Sequence, residues 1–295
     1  MKKIKFIAAL TCAVILCVSV SGCLFQRQET ERPIISNTYV YDAESDDYFV
    51  NLSKECMQSI VEINVPVSST KSYKGSGVII YISSTRTYII TNNHVVSGES
   101  LTEDYNVFVK LPNESGDGLK AEVLYRTNKP YSSINPFNVV TSDLAIIAID
   151  KQSAHTVCKY SVDELKYGQH VLAVGNGLGY GTSVCDGLIG NPSLRLVTYK
   201  SAGSSIKTFD NYVIQSSAPI NSGNSGGGLF DMKARLIGIN TFKAVTAAPG
   251  DDSSNVYAEG ISFTLPMSHV KEFVDKWNET QEGVSNGQVI KMTKG

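Results

Sequence analysis

The chain has 295 residues, enough for one large domain or two small ones, and 42% of them are hydrophobic and 18% charged. A content of 24 glycines with only 9 prolines excludes a collagen-like or proline-rich disordered chain. The formal charge of −2 comes without a block of basic residues, so a nucleic-acid-binding protein is not expected.

The N-terminal residues have the pattern of an export signal over residues 1–22. Lysines lie within Met1–Lys5, Phe6–Val20 is an apolar run, and small residues follow it. Val20-Ser21-Gly22-Cys23 resembles a bacterial lipobox, which implies cleavage before Cys23, a diacylglycerol on its sulfur and attachment to a bacterial membrane. The alternative is an uncleaved signal anchor, because Phe6–Phe25 is just long enough to span a bilayer. Both interpretations place the rest of the chain outside the cytoplasm.

Three cysteines remain once the signal and Cys23 are set aside: Cys56, Cys158 and Cys185. They are widely spaced and odd in number, and no CxxC pair suggests a metal site. We expect three small buried hydrophobic residues, although one disulfide stays open as an alternative. No metal and no cofactor are expected.

The remaining segments change character along the chain. Residues 23–47 are polar and without periodicity, which predicts a flexible tether, and helical spacing follows over Tyr48–Ser59. Short β-type runs then dominate up to Thr264, and Pro266 opens a helix with apolar residues at i, i+3, i+4 and i+7. Residues 283–295 form a polar tail, which we expect to be mobile.

The ten runs with strand character are Ile60–Val65, Gly77–Ile82, Thr87–Thr91, Asn106–Leu111, Leu144–Ile149, His170–Val174, Leu194–Thr198, Tyr212–Gln215, Arg235–Asn240 and Gly260–Thr264. This pattern predicts an all-β barrel or sandwich.

Three weak signals for chemistry lie within the β-rich region. His94 follows a strand, Asp143 opens another, and Ser225 lies in a glycine-rich turn. Each alone is more often structural, but the chain order His, Asp, Ser within an all-β protein is that of the chymotrypsin type of triad. Residues 223–227 also fit the G-x-S-x-G pattern of α/β-hydrolases. That alternative fails because no helix follows the serine and its histidine would be His269 in a packing helix.

With these residues the sequence resembles the trypsin-like serine proteases, and among them the HtrA family, from about Lys54 to about Lys276. Seven motifs occur in the family's order: Gly75-Ser76-Gly77-Val78-Ile79-Ile80, Thr91-Asn92-Asn93-His94-Val95-Val96, Ser142-Asp143-Leu144-Ala145-Ile146, Val174-Gly175-Asn176, Ile214-Gln215-Ser216, Ile220-Asn221-Ser222-Gly223-Asn224-Ser225-Gly226-Gly227 and Ile237-Gly238-Ile239-Asn240-Thr241.

The resemblance implies a protease domain over 48–282 with two six-stranded antiparallel β-barrels, about 60–150 and about 165–265, and a helix at each end. It implies a serine endopeptidase with Ser225 as nucleophile, His94 as general base and Asp143 as its orienting acid. The oxyanion hole is expected in Gly223-Asn224-Ser225, through the backbone N–H groups of Gly223 and Ser225.

The resemblance also implies where a substrate binds. The specificity pocket is expected to have Pro219 at its base and Ile220 as its wall, and Ile239, Asn240 and Thr241 are expected to pair with an extended peptide. Because neither pocket residue is a carboxylate, we expect small or medium aliphatic P1 residues rather than Arg or Lys. P1 is the substrate residue whose carbonyl group is attacked.

Some features depart from the family pattern or leave alternatives open. Asn224 precedes the serine where a zymogen-type protease has Asp, so activation by a newly cleaved N-terminus is not expected. No PDZ module is recognised in the sequence.

Members of the family often form trimers through N-terminal aromatic residues, here Tyr39, Tyr41, Tyr48 and Phe49, although ordinary packing would also explain these. The expected substrates are unfolded or misfolded exported proteins. A catalytically silent binding or chaperone module, or an enzyme that awaits a trigger, is the alternative.

Overall fold

Short strands with alternating apolar residues close into two β-barrels. The computed structural model describes residues 43–97, 105–127, 138–140, 142–202, 205–248, 251–282, 284 and 287–295. The strands in chain order are β1 (Ile60–Pro66), β2 (Ser72–Ile82), β3 (Thr87–Thr91), β4 (Val107–Lys110), β5 (Leu119–Arg126), β6 (Asn138–Val140), β7 (Ala145–Ile149), β8 (Lys159–Tyr160), β9 (His170–Gly175), β10 (Ser183–Ala202), β11 (Ser205–Ser216), β12 (Gly228–Asp231), β13 (Leu236–Ala248), β14 (Asp251–Pro266) and β15 (Thr293–Lys294).

Each barrel has six antiparallel strands. The first closes in the order β1-β2-β3-β7-β5-β4. The second runs β9-β10-β11-β14-β13-β12 and closes because β12 pairs with both β13 and β9. The short strands β6, β8 and β15 add parallel pairings to the second sheet. The prediction of two six-stranded barrels is therefore confirmed.

Strands β3 and β7 are buried at every residue, and β7 is accordingly wholly apolar, whereas β3 has a threonine at each end. Ile89 belongs to a core cluster made from strands of the first barrel. Its neighbours Tyr88 and Ile90 belong to a second cluster, which also takes in residues of the second barrel and of both long helices. Alternate side chains of one strand thus fill one barrel and pack against the rest of the molecule.

Helices flank the barrels at both ends of the described chain. These are α1 (Ala43–Met57) and α3 (Met267–Gln281), and a short helix, α2 (Asn93–Ser97), follows β3. Pro266 precedes α3 as expected, and the predicted stripe of Val270, Phe273, Val274 and Trp277 is buried. Among the described residues no helix is long and apolar enough to cross a membrane. The signal segment 1–22, Cys23 and most of the predicted tether lie outside the described residues.

The polar C-terminal tail packs against the body of the protein, contrary to the expectation of a mobile segment. Ile290 is only 3% exposed and belongs to the large core cluster. The amide side chain of Asn278 accepts a hydrogen bond from the Ile290 N–H at 2.8 Å and donates one to its carbonyl oxygen at 3.0 Å. β15 pairs with β8, so the tail also extends the second sheet. Ile290, together with Met292 packed against the same cluster, therefore anchors a segment whose composition is polar.

The cysteines behave largely as buried apolar residues. Cys56 and Cys158 are buried, and their thiols are free. Burial raises the pKa of each of these two thiols to about 12, so both are uncharged at neutral pH. Cys185 is only partly buried, and its thiol is also free.

Shortening Ile290 tests whether the tail contributes to stability. Ile290→Ala removes buried apolar volume from the large cluster, and we expect the free energy of unfolding to fall by roughly 2–5 kcal/mol in urea titrations. The control is Val289→Ala, because Val289 is 41% exposed and its truncation should change stability by less than about 0.5 kcal/mol. Equal stability of the two variants would mean that the tail does not contribute to the core.

Candidate active site

His94 and Asp143 lie together on the first barrel. The N–H of His94 donates to Asp143 Oδ1 at 2.9 Å, and its Nδ1 lies 2.5 Å from Asp143 Oδ2. An ionised carboxylate only accepts hydrogen bonds, so Nδ1 carries the proton and Nε2 carries the basic lone pair of the neutral ring. The Asp143 side chain is 9% exposed, whereas the His94 side chain is 43% exposed. The pair can therefore present an oriented base to a ligand from solvent.

Asn92 ties this pair to the second barrel. Its buried side-chain Nδ2 donates to the backbone carbonyl of Asp143 at 2.7 Å and to Thr241 Oγ1 at 3.1 Å. Thr241 belongs to β13, so one amide group contacts both barrels at the level of the acid. This contact fixes the position of Asp143 relative to the strand that borders the glycine-rich turn.

Ser225 lies in a tight turn of the second barrel that only glycine permits at its key positions. Gly223 and Gly226 have φ of +97° and +84°. A Cβ atom on Gly226 would lie 2.1 Å from the carbonyl oxygen of Ser76, and one on Gly223 would lie 2.1 Å from that of Asn176. The turn is therefore packed directly against the backbone of β2 and of the loop after β9.

Two backbone N–H groups of the turn remain available to a ligand. The N–H groups of Asn224, Gly226 and Gly227 donate to carbonyl oxygens of the protein. Within the described residues, no protein acceptor takes the N–H of Gly223 or that of Ser225. An oxyanion hole requires such unused donors, whereas Asn224 uses its N–H inside the turn and cannot supply one. Leu178 N–H donates to Ser222 O at 2.6 Å, which fixes the peptide plane that carries the Gly223 N–H.

Ser76 of β2 holds the turn in place. It is fully buried, its N–H donates to Ser225 O at 2.8 Å, and its hydroxyl donates to Gly223 O at 2.7 Å. The same hydroxyl accepts a hydrogen bond from the Asn176 N–H at 2.7 Å, and the Ser76 carbonyl accepts one from Thr91 Oγ1 at 2.6 Å. The sequence places Ser76 in a family motif but gives no local signal that it positions the turn.

The hydroxyl of Ser225 donates to the backbone carbonyl of Thr241 at 3.2 Å. A hydroxyl has one proton, so in this conformation the proton is directed to the strand β13 and not to a base. Thr241 is also the extra residue of a β-bulge, since Asn240 pairs with Thr264 and Phe242 pairs with Phe263. The bulge re-aims the strand at this point towards the turn.

A cleft of about 430 Å³ opens beside Ser225. Its lining consists of Leu178, Ile220, Asn221, Ser222, Ser225, Thr241, Phe242 and Lys243. The ring of Phe242 is stacked against that of His94, with 6.3 Å between ring centroids. The cleft thus joins the serine to an apolar wall, and Phe242 of that wall contacts the imidazole.

Only two of the five predicted substrate-binding residues line the cleft. Ile220 and Thr241 line the cleft, whereas Pro219 is exposed and does not line it. Ile239 and Asn240 are fully buried. The backbone of Asn240 hydrogen-bonds to Gly226 and Gly227 and so supports the turn instead of a peptide.

Sequence reasoning did not single out several of the residues that line the cleft. Phe242 and Lys243 directly follow the motif that ends at Thr241, and extending the predicted strand past Thr241 would have included them. Leu178 follows the quoted Asn176 in a loop whose position depends on tertiary contacts, so no local signal marks it.

Comparison with known proteins defines the class of this fold and site. Residues 75–239 match the trypsin-like peptidase domain, and the chain belongs to that family. The region contains His94, Asp143 and Ser225. The likeness to the HtrA proteases recognised in the sequence is confirmed by the relatives that follow.

The chain is 32% identical to the serine protease Do-like HtrA of Lactobacillus helveticus, over 69% of this chain and 42% of that protein. It is 31% identical to the periplasmic serine endoprotease DegP of Escherichia coli, over 73% of this chain and 36% of that protein. The chain therefore spans well under half the length of these relatives. A crystal structure of a serine endoprotease from Yersinia pestis matches its fold with a TM-score of 0.53 at 24% identity, covering 77% of this chain and 65% of the other.

Removing the Ser76 hydroxyl tests its role in positioning the turn. Ser76→Ala leaves the Asn176 N–H and the Gly223 carbonyl without their partner, so we expect Ser225 to react with a fluorophosphonate probe at least about tenfold more slowly. The control is Ser59→Ala, which removes another buried hydroxyl, one that donates to Cys56 O. Unfolding measurements should show similar losses of roughly 1–3 kcal/mol for both variants. Equal labelling rates in the two variants would contradict the positioning role.

Proposed function

We propose that this protein is an extracytoplasmic serine endopeptidase of the HtrA type. The observation that carries the proposal is the His94–Asp143 pair together with Ser225 in a turn that keeps two N–H groups available. A module that only binds peptides has no use for an oriented base beside a serine and an anion-binding turn.

The proposed reaction assigns one task to each group. Ser225 Oγ attacks the substrate carbonyl as His94 Nε2 removes its proton, and the oxyanion then receives hydrogen bonds from the Gly223 and Ser225 N–H groups. His94 returns the proton to the leaving amine, and water repeats the sequence on the acyl-enzyme. Asp143 keeps the proton on Nδ1 and stabilises the charged imidazole.

The contact between the Ser225 hydroxyl and Thr241 O supports a resting form that substrate converts. Attack requires the proton of Ser225 to be directed to His94 Nε2 instead of to Thr241 O. An extended peptide paired with β13 offers a backbone N–H to the same carbonyl and so competes with the serine. This interpretation favours the trigger-dependent enzyme over the silent binding module.

The proposed substrates are unfolded or misfolded exported proteins, cut after small or medium aliphatic residues. Pairing with β13 requires an extended segment, which unfolded chains provide. Ile220 and Leu178 give the cleft beside Ser225 an apolar wall, which suits Val, Ala or Leu at P1. The relatives named periplasmic support a location outside the cytoplasm.

We also propose that lipid on Cys23 anchors the protein to a membrane and that α1 contributes to a homotrimer. Tyr48 and Phe49 are 50% and 41% exposed on α1, which supports aromatic contacts between copies. Tyr39 and Tyr41 lie outside the described residues.

Substitution of the triad tests the proposed activity. The purified protein should cut an unfolded casein-like protein, and Ser225→Ala should abolish the cutting. Asp143→Asn should lower kcat about 10⁴-fold because the imidazole would hold the wrong tautomer. His155→Ala is the matched control and should cut like the parent, since His155 lies outside the cleft. Mass spectrometry of the products identifies the P1 residue at each cut site. No cutting of the unfolded substrate by folded parent protein would support the silent binding module.

The anchor is tested by labelling cells that express the protein with a radioactive fatty acid. The parent protein should carry label and sediment with membranes, and Cys23→Ser should carry none and be released. Cys17→Ser, which changes a cysteine within the signal, should behave like the parent. Unlabelled parent protein that remains in the membrane fraction would favour the uncleaved signal anchor.

A further inference from the structure

The cleft beside Ser225 carries one cation. Among its described lining residues, Lys243 is the charged one, and the other side chains are apolar or neutral polar. Its Nζ lies 3.5 Å from Asn221 Oδ1, the side-chain oxygen of another lining residue. Lys243 is partly exposed, so a peptide bound in the cleft can reach its charge.

The position of Lys243 along β13 relates it to a particular substrate residue. The carbonyl of Thr241 contacts Ser225 Oγ, so P1 of a bound peptide lies opposite Thr241. The pairing of β12 with β13 ends at Ile239, and the edge of β13 continues past it along the cleft. A peptide that pairs antiparallel with this edge runs from its C-terminal to its N-terminal residues as β13 runs from N to C. Lys243, two residues after Thr241, therefore meets P3, two residues before the cut.

We propose that Lys243 selects substrates that carry an acidic side chain at P3, in addition to an aliphatic residue at P1. This inference rests on the proposed function, since it names the substrate class for the same cleft. In an extended peptide, side chains alternate, so P1 and P3 point to the same side. The apolar wall at Ile220 and Leu178 then receives P1, and the ammonium of Lys243 receives the P3 carboxylate.

The surroundings strengthen such a pair. A bound peptide covers the cleft and excludes water between Lys243 and the carboxylate, which makes the attraction stronger than at an open surface. The same charge repels Lys or Arg at P3, so it contributes to selectivity in both directions. We expect a preference of about tenfold for Glu over Gln at P3.

The experiment uses peptides of one sequence with a single Val as P1 and Glu, Gln or Lys at P3. A second arm keeps Gln at P3 and places Glu at P1. Cleavage is measured as kcat/KM with cut sites verified by mass spectrometry. Binding is measured separately by fluorescence anisotropy with Ser225→Ala, which needs no catalysis.

The variant is Lys243→Met, which keeps the length of the side chain and removes its charge. The control is Lys271→Met, which removes the same charge from α3, where Lys271 pairs with Asp275. The preference for Glu over Gln at P3 should disappear in the first variant, persist in the second and weaken as salt rises.

Equal affinity and equal kcat/KM for the Glu and Gln peptides would overturn the inference, as would a preference that survives Lys243→Met. A preference for Glu at P1 but not at P3 would overturn the assignment to P3. A Lys243-dependent binding preference for Glu at P3 without any cleavage would support the inference while the proposed peptidase activity fails.

Discussion

The geometry of the whole site depends on the hydrogen bonds of one buried serine. Ser76 belongs to the first barrel, yet its N–H and hydroxyl bind the carbonyl groups of Ser225 and Gly223 in the second. Because the residue is fully buried, water cannot replace a lost partner, and each unpaired group would carry its full desolvation cost. The close approach of the β2 backbone to the turn also explains why Gly226 has no room for a side chain.

A second constraint is that the residues of the proposed triad come from different barrels. His94 and Asp143 lie on the first barrel and Ser225 on the second, so the proposed catalysis requires the two barrels to meet with an accuracy of a fraction of an ångström. Asn92 and Ser76 supply polar contacts across this boundary, and the large apolar cluster that includes residues of both barrels supplies the burial energy. The site is therefore preorganised by the same packing that holds the fold together.

The fold and the principal site residues could be predicted because their signals are local. Strand alternation, the chain order of His94, Asp143 and Ser225, and the glycines of the turn can all be read within short windows. The remainder depends on contacts between distant segments. A β-bulge at Thr241 decides which neighbours face the cleft, so Asn240 supports the turn while Lys243 lines the cleft. Likewise, the burial of Ile290 follows from its docking against α3, which composition alone does not reveal.

The carbonyl of Thr241 links recognition to reactivity in this site. It accepts the proton of Ser225 when the edge of β13 is unoccupied, and an extended peptide competes for the same oxygen. A protein without an accessible extended segment cannot pair with β13 and so does not compete for this oxygen. On the proposed function, the enzyme is thus kept in its resting arrangement by the very atom that its substrates must bind. On the proposed function and the role inferred for Lys243, backbone pairing selects unfolded chains first, and the charge of Lys243 adds a requirement for sequence only after that pairing has formed.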